Sequence, residues 1–242
     1  MPFSFLPDTG ILDLAPGSSD CEVHAQVVEP LSELVRQASF SGIDLRVASA
    51  YRDIDRQCLI WNRKARGERP VYSLSGDRVI DVDKMDEWQL ARAIMRWSAV
   101  PGLSRHHWGT DIDVYDAAAV DADYELQLSP GEYATDGVFH HLTRWLDERI
   151  GTDNACGFFR PYAEDRGGVA PEPWHLSYAP LAAEIQSSIT VDQLRDGLRD
   201  LVLELGGSLL SHMDEIYAQF FWVPAAAYPR VFQPALLAVE QR

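Results

Sequence analysis

Ser104-Arg-His-His-Trp-Gly-Thr-Asp-Ile-Asp113 packs two histidines, a glycine and two aspartates into ten residues. Thr110 to Val114 reads as a strand, entered through a tight turn that Gly109 permits. Residues two apart on a strand face the same way, so Asp111 and Asp113 point to one side. A second cluster, Glu172-Pro-Trp-His175, lies downstream. Together, His106, Asp113 and His175 make a three-ligand metal set, with His107 the rival to His106. Two imidazoles and a carboxylate suit zinc, and three protein ligands leave one coordination position for water. Glu172 is then a carboxylate close to the metal but not on it. Residues three apart on a regular strand face opposite ways. The chain must therefore bend near Pro173 to bring Glu172 and His175 to one site.

Ser104-x-His106-x-x-Gly109-x-x-x-Asp113 followed by Glu172-x-x-His175 resembles the M15 metallopeptidases, the D-alanyl-D-alanine carboxypeptidases and dipeptidases of the VanY and VanX type. Three further stretches agree in order. Ser49-Ala-Tyr-Arg52 resembles the family's Ser-x-Tyr-Arg. Ala155-Cys-Gly-Phe158 with Arg160-Pro-Tyr162 resembles its Gly-Phe and Tyr segment. Glu172-Pro-Trp-His175 is similar to the VanY-type Glu-Pro-Trp-His. The resemblance runs from about Leu45 to Tyr178.

The resemblance implies a D-Ala-D-Ala carboxypeptidase/hedgehog-like zinc peptidase fold, with His106, Asp113 and His175 on zinc and His106 preferred to His107. It implies that Glu172 is the general base, and that Arg52 either stabilises the oxyanion or clamps a terminal carboxylate. Ser104 and Gln57 are further candidates for substrate contact. The implied substrate is a peptidoglycan stem peptide ending in D-alanine. An L,D-carboxypeptidase or a peptidoglycan endopeptidase on the same scaffold is the alternative. A non-catalytic, zinc-bearing module that binds cell-wall peptide is the rival from another class, and retention of Glu172 argues against it. One residue departs from the pattern. Asp111 stands where the family usually has a small residue, and it can serve as a hydrogen-bond partner of a ligand histidine.

The 242 residues suffice for one large domain. The expected architecture is α+β: a small, mainly antiparallel sheet with helices around it, a motif-bearing core at about 45–178, and C-terminal helices at 191–221 packed on the same core. A formal net charge of −16 argues against nucleic acid and anionic membranes as partners. No apolar run has the length of a membrane span. No export signal is visible, which points to the cytoplasm, whereas the family's substrate lies in the cell envelope. Cys21, Cys58 and Cys156 are too few and too scattered for a disulfide framework or a Cys-x-x-Cys site.

Periodicity predicts an irregular lead-in over 1–19 and a helix from Asp20 to about Ala38, interrupted or kinked at Pro30. Leu45 to Tyr51 reads as a strand, followed by a helix that Asp53 caps and Gly67 ends. Residues 68–84 read as a loop over the site, and Asp86 to Trp97 as a helix. An acidic loop at 117–136 precedes a helix from Val138 to Ile150. Short strands are expected at Phe158 and at Trp174 to Tyr178, and Pro180 starts a helix. Two C-terminal helices are expected, separated by Gly206-Gly207. His24, His140, His141 and His212 read as structural or exposed.

Overall fold

The computed structural model describes residues 3, 6, 11–73, 75–76 and 78–240. Strand β1 (Leu12–Leu14) pairs antiparallel with β2 (Glu22–His24), so part of the expected lead-in is ordered as a small hairpin. This hairpin also moves the start of helix α1 (Ala25–Phe40) five residues past Asp20. The His24 ring accepts from the Gln26 N–H and caps α1, which runs on through Pro30.

The main sheet is formed by β3 (Leu45–Ser49), β4 (Asp111–Asp116), β5 (Phe158–Phe159) and β6 (His175–Tyr178). Its order is β3-β4-β6-β5, and every pair is antiparallel. The α+β architecture expected from the sequence is the one found. Helix α2 (Ile54–Ala65) follows β3, and the Asp53 carboxylate accepts from the Arg56 N–H at its start. Helix α3 (Glu87–Met95) opens with a reciprocal Asp86–Gln89 cap. The short α4 (Pro130–Tyr133) closes the acidic loop, where the Glu132 carboxylate collects the Tyr124 hydroxyl and the Gln127 and Ser129 N–H groups. Helices α5 (His140–Gly151) and α6 (Ala179–Ser188) flank the last two strands.

Alternation along β4 divides its side chains between two environments. Ile112 and Val114 join Leu31 and Leu34 of α1 and Leu142 of α5 in one apolar core. Asp111 and Asp113 face the other way, as the two-residue period requires.

The C-terminal part is α7 (Val191–Arg199), α8 (Gly206–Ser211), α9 (Met213–Ile216), a π-helical turn (Tyr217–Phe221) and α10 (Gln233–Glu240). Gly206 and Gly207 begin α8 rather than separating two helices. Leu236 of α10 packs with Phe159 of β5 and with Ala179 and Ala183 of α6. Leu194, Leu209, Ile216 and Phe221 bury against Trp61 of α2, Ile94 of α3 and Trp108, forming a second core. No helix among the described residues is long and apolar enough to cross a membrane.

Candidate metal centre

Register brings the central pair together. Asp113 of β4 is the cross-strand partner of His175 on β6. Side chains directly opposite on one face of an antiparallel pair lie close enough to share a ligand. His106 arrives from a 3-10 turn (Arg105–Trp108) that ends at Gly109 in the left-handed region, φ 68°. A Cβ on Gly109 would stand 2.9 Å from the His24 backbone nitrogen, so the turn accepts only glycine without rearrangement.

The three expected ligands converge. One nitrogen or oxygen from each of His106, Asp113 and His175 falls within 4.8 Å of the others, and all three residues are buried. The two rings meet edge to face, with centroids 4.9 Å apart. His106 Nδ1 is 2.7 Å from the Ala50 carbonyl, so that nitrogen carries the proton. Its Nε2, 3.4 Å from Asp113 Oδ2, keeps a lone pair for a metal. His175 is held the other way round. Its Nε2 donates to Asp111 Oδ1 at 2.9 Å, and its Nδ1 faces Asp113 Oδ1 at 3.1 Å.

Electrostatics at these groups suits a cation. Burial pushes His106 down to about 4, so it is neutral at neutral pH, as a ligand must be. Burial also opposes charge on His175, but hydrogen bonds to Asp111 and Asp113 outweigh it and lift its pKa to about 10. In the metal-free site His175 therefore holds a second proton, which a metal at Nδ1 would displace. Two imidazoles, a carboxylate and the polar support behind them fit zinc by donor chemistry.

Glu172 reaches the same point through the bend that Pro173 requires. The His175 N–H donates to the Glu172 carbonyl, and Glu172 Oε2 lies 3.5 Å from His175 Nδ1. Burial, with a contribution from Asp113, raises the Glu172 carboxyl to about 7 against the pull of His175, Arg52 and Lys64. A carboxylate poised near neutrality suits proton transfer at physiological pH.

Arg52, Ser104, His106, Asp113, Glu172 and His175 all line one cleft of about 520 Å³. Arg52 projects from the loop after β3, and its guanidinium donates to Gln57 Oε1 and Ser49 Oγ, each at 3.0 Å. Gln57, expected as a substrate contact, does not line the cleft. It is fully buried; its carbonyl oxygen holds Arg52 and its amide nitrogen donates to the Ala99 carbonyl. His107 is excluded as a ligand by its partners. The Gly102 N–H donates to His107 Nε2, so the Nδ1 proton goes to the Arg52 carbonyl. It anchors the backbone of Arg52 instead.

Asp111 is fully buried and bonded on all sides, by His175, Thr110, Ser177 and Arg105. The residue that sequence reasoning missed is Arg105. Its Nε donates to Asp111 Oδ1 at 2.9 Å, and its other nitrogens reach Ser177 Oγ at 2.7 Å, Gln186 Oε1 at 3.0 Å and the Tyr228 hydroxyl at 3.2 Å. Burial works against charge on both partners, yet each holds the other ionised: Asp111 falls far below the usual carboxylate range and Arg105 rises. Tyr228 thereby connects the C-terminal segment, and Gln186 connects α6, to a candidate metal ligand. The unusual carboxylate at 111 was the available signal, because a buried aspartate calls for a cation nearby.

The family model for VanY, D-alanyl-D-alanine carboxypeptidase, matches residues 20–181. An uncharacterized protein of Haemophilus influenzae is 31% identical over 122 residues, spanning 50% of this chain and 92% of that protein. A D-alanyl-D-alanine carboxypeptidase of Enterococcus faecalis is 28% identical over 156 residues, which is 63% of this chain and 47% of that longer protein. Among solved structures, a VanY D,D-pentapeptidase mutant in complex with Zn(II) is 25% identical, covering 74% of this chain and 86% of that one, with a TM-score of 0.48. VanYB in complex with D-alanine-D-alanine is 22% identical over 82% of this chain and 87% of that one, with a TM-score of 0.49.

Proposed function

The chain belongs to the VanY D-alanyl-D-alanine carboxypeptidase family, and we propose that it is a zinc peptidase that removes the C-terminal D-alanine from peptidoglycan stem peptides. The observation that carries this reading is the convergence of one nitrogen or oxygen from each of His106, Asp113 and His175 within 4.8 Å, with a base at their edge. A zinc ion held by these three residues supplies Lewis acidity and lowers the pKa of a water it binds.

Within that frame each residue has a stated task. Glu172 takes the proton of the attacking water on its carboxylate and passes it to the departing amine. Burial raises its carboxyl in the metal-free site, and a bound zinc would draw it back toward the carboxylate form that takes the proton. Arg52 offers a fixed positive charge to the oxyanion that develops on the scissile carbonyl. Ser49 and Gln57 hold its guanidinium, so little reorganisation accompanies the reaction. Ser104 lines the cleft beside His106, within reach of a bound peptide. Glu172 also weighs against a purely binding role, because recognition alone needs no base against the ligand set.

The test is release of D-alanine from an acylated D-Ala-D-Ala peptide by the zinc-loaded chain, with and without chelator. Chelator-sensitive release that zinc restores is expected. Zinc-loaded protein that releases no D-alanine would overturn the assignment.

A further inference from the structure

Lys64 lines the same cleft, near the end of α2, and the reaction described above has no task for it. Its Nζ donates to Ser98 Oγ at 2.7 Å, and the Ser98 hydroxyl donates onward to the Trp97 carbonyl at 2.8 Å. No carboxylate among the described residues is in ion-pair contact with Lys64. An ammonium has three N–H donors, so this one retains two to spend.

The surroundings do not compensate its charge. Burial pushes the Lys64 pKa down to about 8; Arg69 and Arg52 add repulsion, and only Glu172 pulls the other way. A half-buried ammonium without a counterion is costly, and the cost is offset when an anion arrives. The contrast with the rest of the chain is sharp. The net charge is −16, yet Arg52, Lys64 and Arg69 all line this cleft.

Resting on the peptidase reading, we propose that Lys64, with the Ser98 hydroxyl beside it, is the binding site for a substrate carboxylate. This separates two tasks that one arginine would otherwise combine. Lys64 takes the carboxylate, and Arg52 is left for the reacting carbonyl. A stem peptide carries carboxylates from two sources, its C-terminus and its side chains, and the chemistry at Lys64 suits either.

The experiment is equilibrium binding of acylated D-Ala-D-Ala, of its C-terminal amide, and of a stem peptide with a side-chain carboxylate. The host is the zinc-loaded full chain in the Glu172→Gln background, which prevents turnover. If Lys64 holds the C-terminus, Lys64→Met weakens the free acid by about 10- to 100-fold, while Lys64→Arg stays within a few-fold of the parent. The amide binds weakly and is indifferent to the substitution. If Lys64 holds a side chain, Lys64→Met weakens only the peptide with the extra carboxylate, and the site stands with that source. Thermal melting of each variant reports folding separately. Unchanged affinity of Lys64→Met for every peptide overturns the proposal, as does failure of the parent to bind any of them. D-alanine release by the wild type alongside unchanged Lys64→Met binding would remove this role and leave the peptidase assignment standing.

Discussion

His175 Nε2 lies 2.9 Å from Asp111 Oδ1. That contact fixes which nitrogen of His175 turns toward Asp113 and His106. It also ties the candidate metal ligand to Arg105, and through Arg105 to Gln186 of α6 and to Tyr228 in the C-terminal part.

Asp111 and Arg105 therefore have separable effects on metal binding and on stability. Asp111→Asn should weaken zinc by about 10- to 100-fold, the usual consequence of losing such a support. Asp111→Ala should also destabilise the fold by about 3–5 kcal/mol, because Arg105 is left charged and unpaired in the interior. The double variant Arg105→Met, Asp111→Ala should recover most of that stability without recovering metal affinity. Chelator competition and chemical denaturation read the two quantities independently. Wild-type zinc affinity in Asp111→Asn would contradict the assigned role.

Glu172→Gln should retain zinc and lose D-alanine release by about 10²–10⁴-fold, the range for removing a general base. The carboxylate is not one of the three groups whose donor atoms converge within 4.8 Å, so coordination does not call on its charge. Metal analysis beside single-turnover kinetics checks both halves. Loss of zinc in this variant would place Glu172 among the ligands instead.

Arg52→Lys should lower kcat by about 10²–10³-fold, as removal of an oxyanion donor does. A lysine cannot reproduce the planar fork that Ser49 and Gln57 hold. Gln57→Leu should reduce kcat less and leave zinc affinity unchanged, because it loosens Arg52 without touching the metal. A kcat equal to wild type in Gln57→Leu would show that Arg52 needs no such support.

Gly109→Ala combines a left-handed backbone with a 2.9 Å approach of the new Cβ to the His24 nitrogen. The left-handed conformation alone costs about 1–2 kcal/mol for a residue with a side chain. Because Gly109 joins the His106 turn to β4, both stability and zinc affinity should fall. Thermal melting with a zinc titration tests this, and a variant that melts as wild type would contradict it.

The parts of this fold legible in the sequence were those with local causes. The two-residue period placed Asp111 and Asp113 on one face, and the Pro173 bend followed from the spacing of Glu172 and His175. The Asp53 cap announced α2, and the apolar spacing after Asp86 announced α3. What escaped depends on contacts distant in the chain. Arg105 reads as one more basic residue until β6, α6 and the C-terminal segment deliver Ser177, Gln186 and Tyr228 to it. Gln57 has the reach of a substrate contact, and only tertiary packing turns it onto Arg52 and Ala99. The C-terminal helices carry a clear apolar stripe, but periodicity does not say which core receives it. The second core forms where Trp61, Ile94 and Trp108 offer an apolar surface to Leu194, Leu209, Ile216 and Phe221.

The most direct measurement is the metal content of the purified chain after zinc reconstitution, compared with His106→Ala, Asp113→Ala and His175→Ala. The account predicts about one zinc per wild-type chain and severe loss of tight binding in each variant, as expected for a three-ligand site. A wild-type chain that takes up no metal, or variants that bind zinc as well as the wild type, would contradict it.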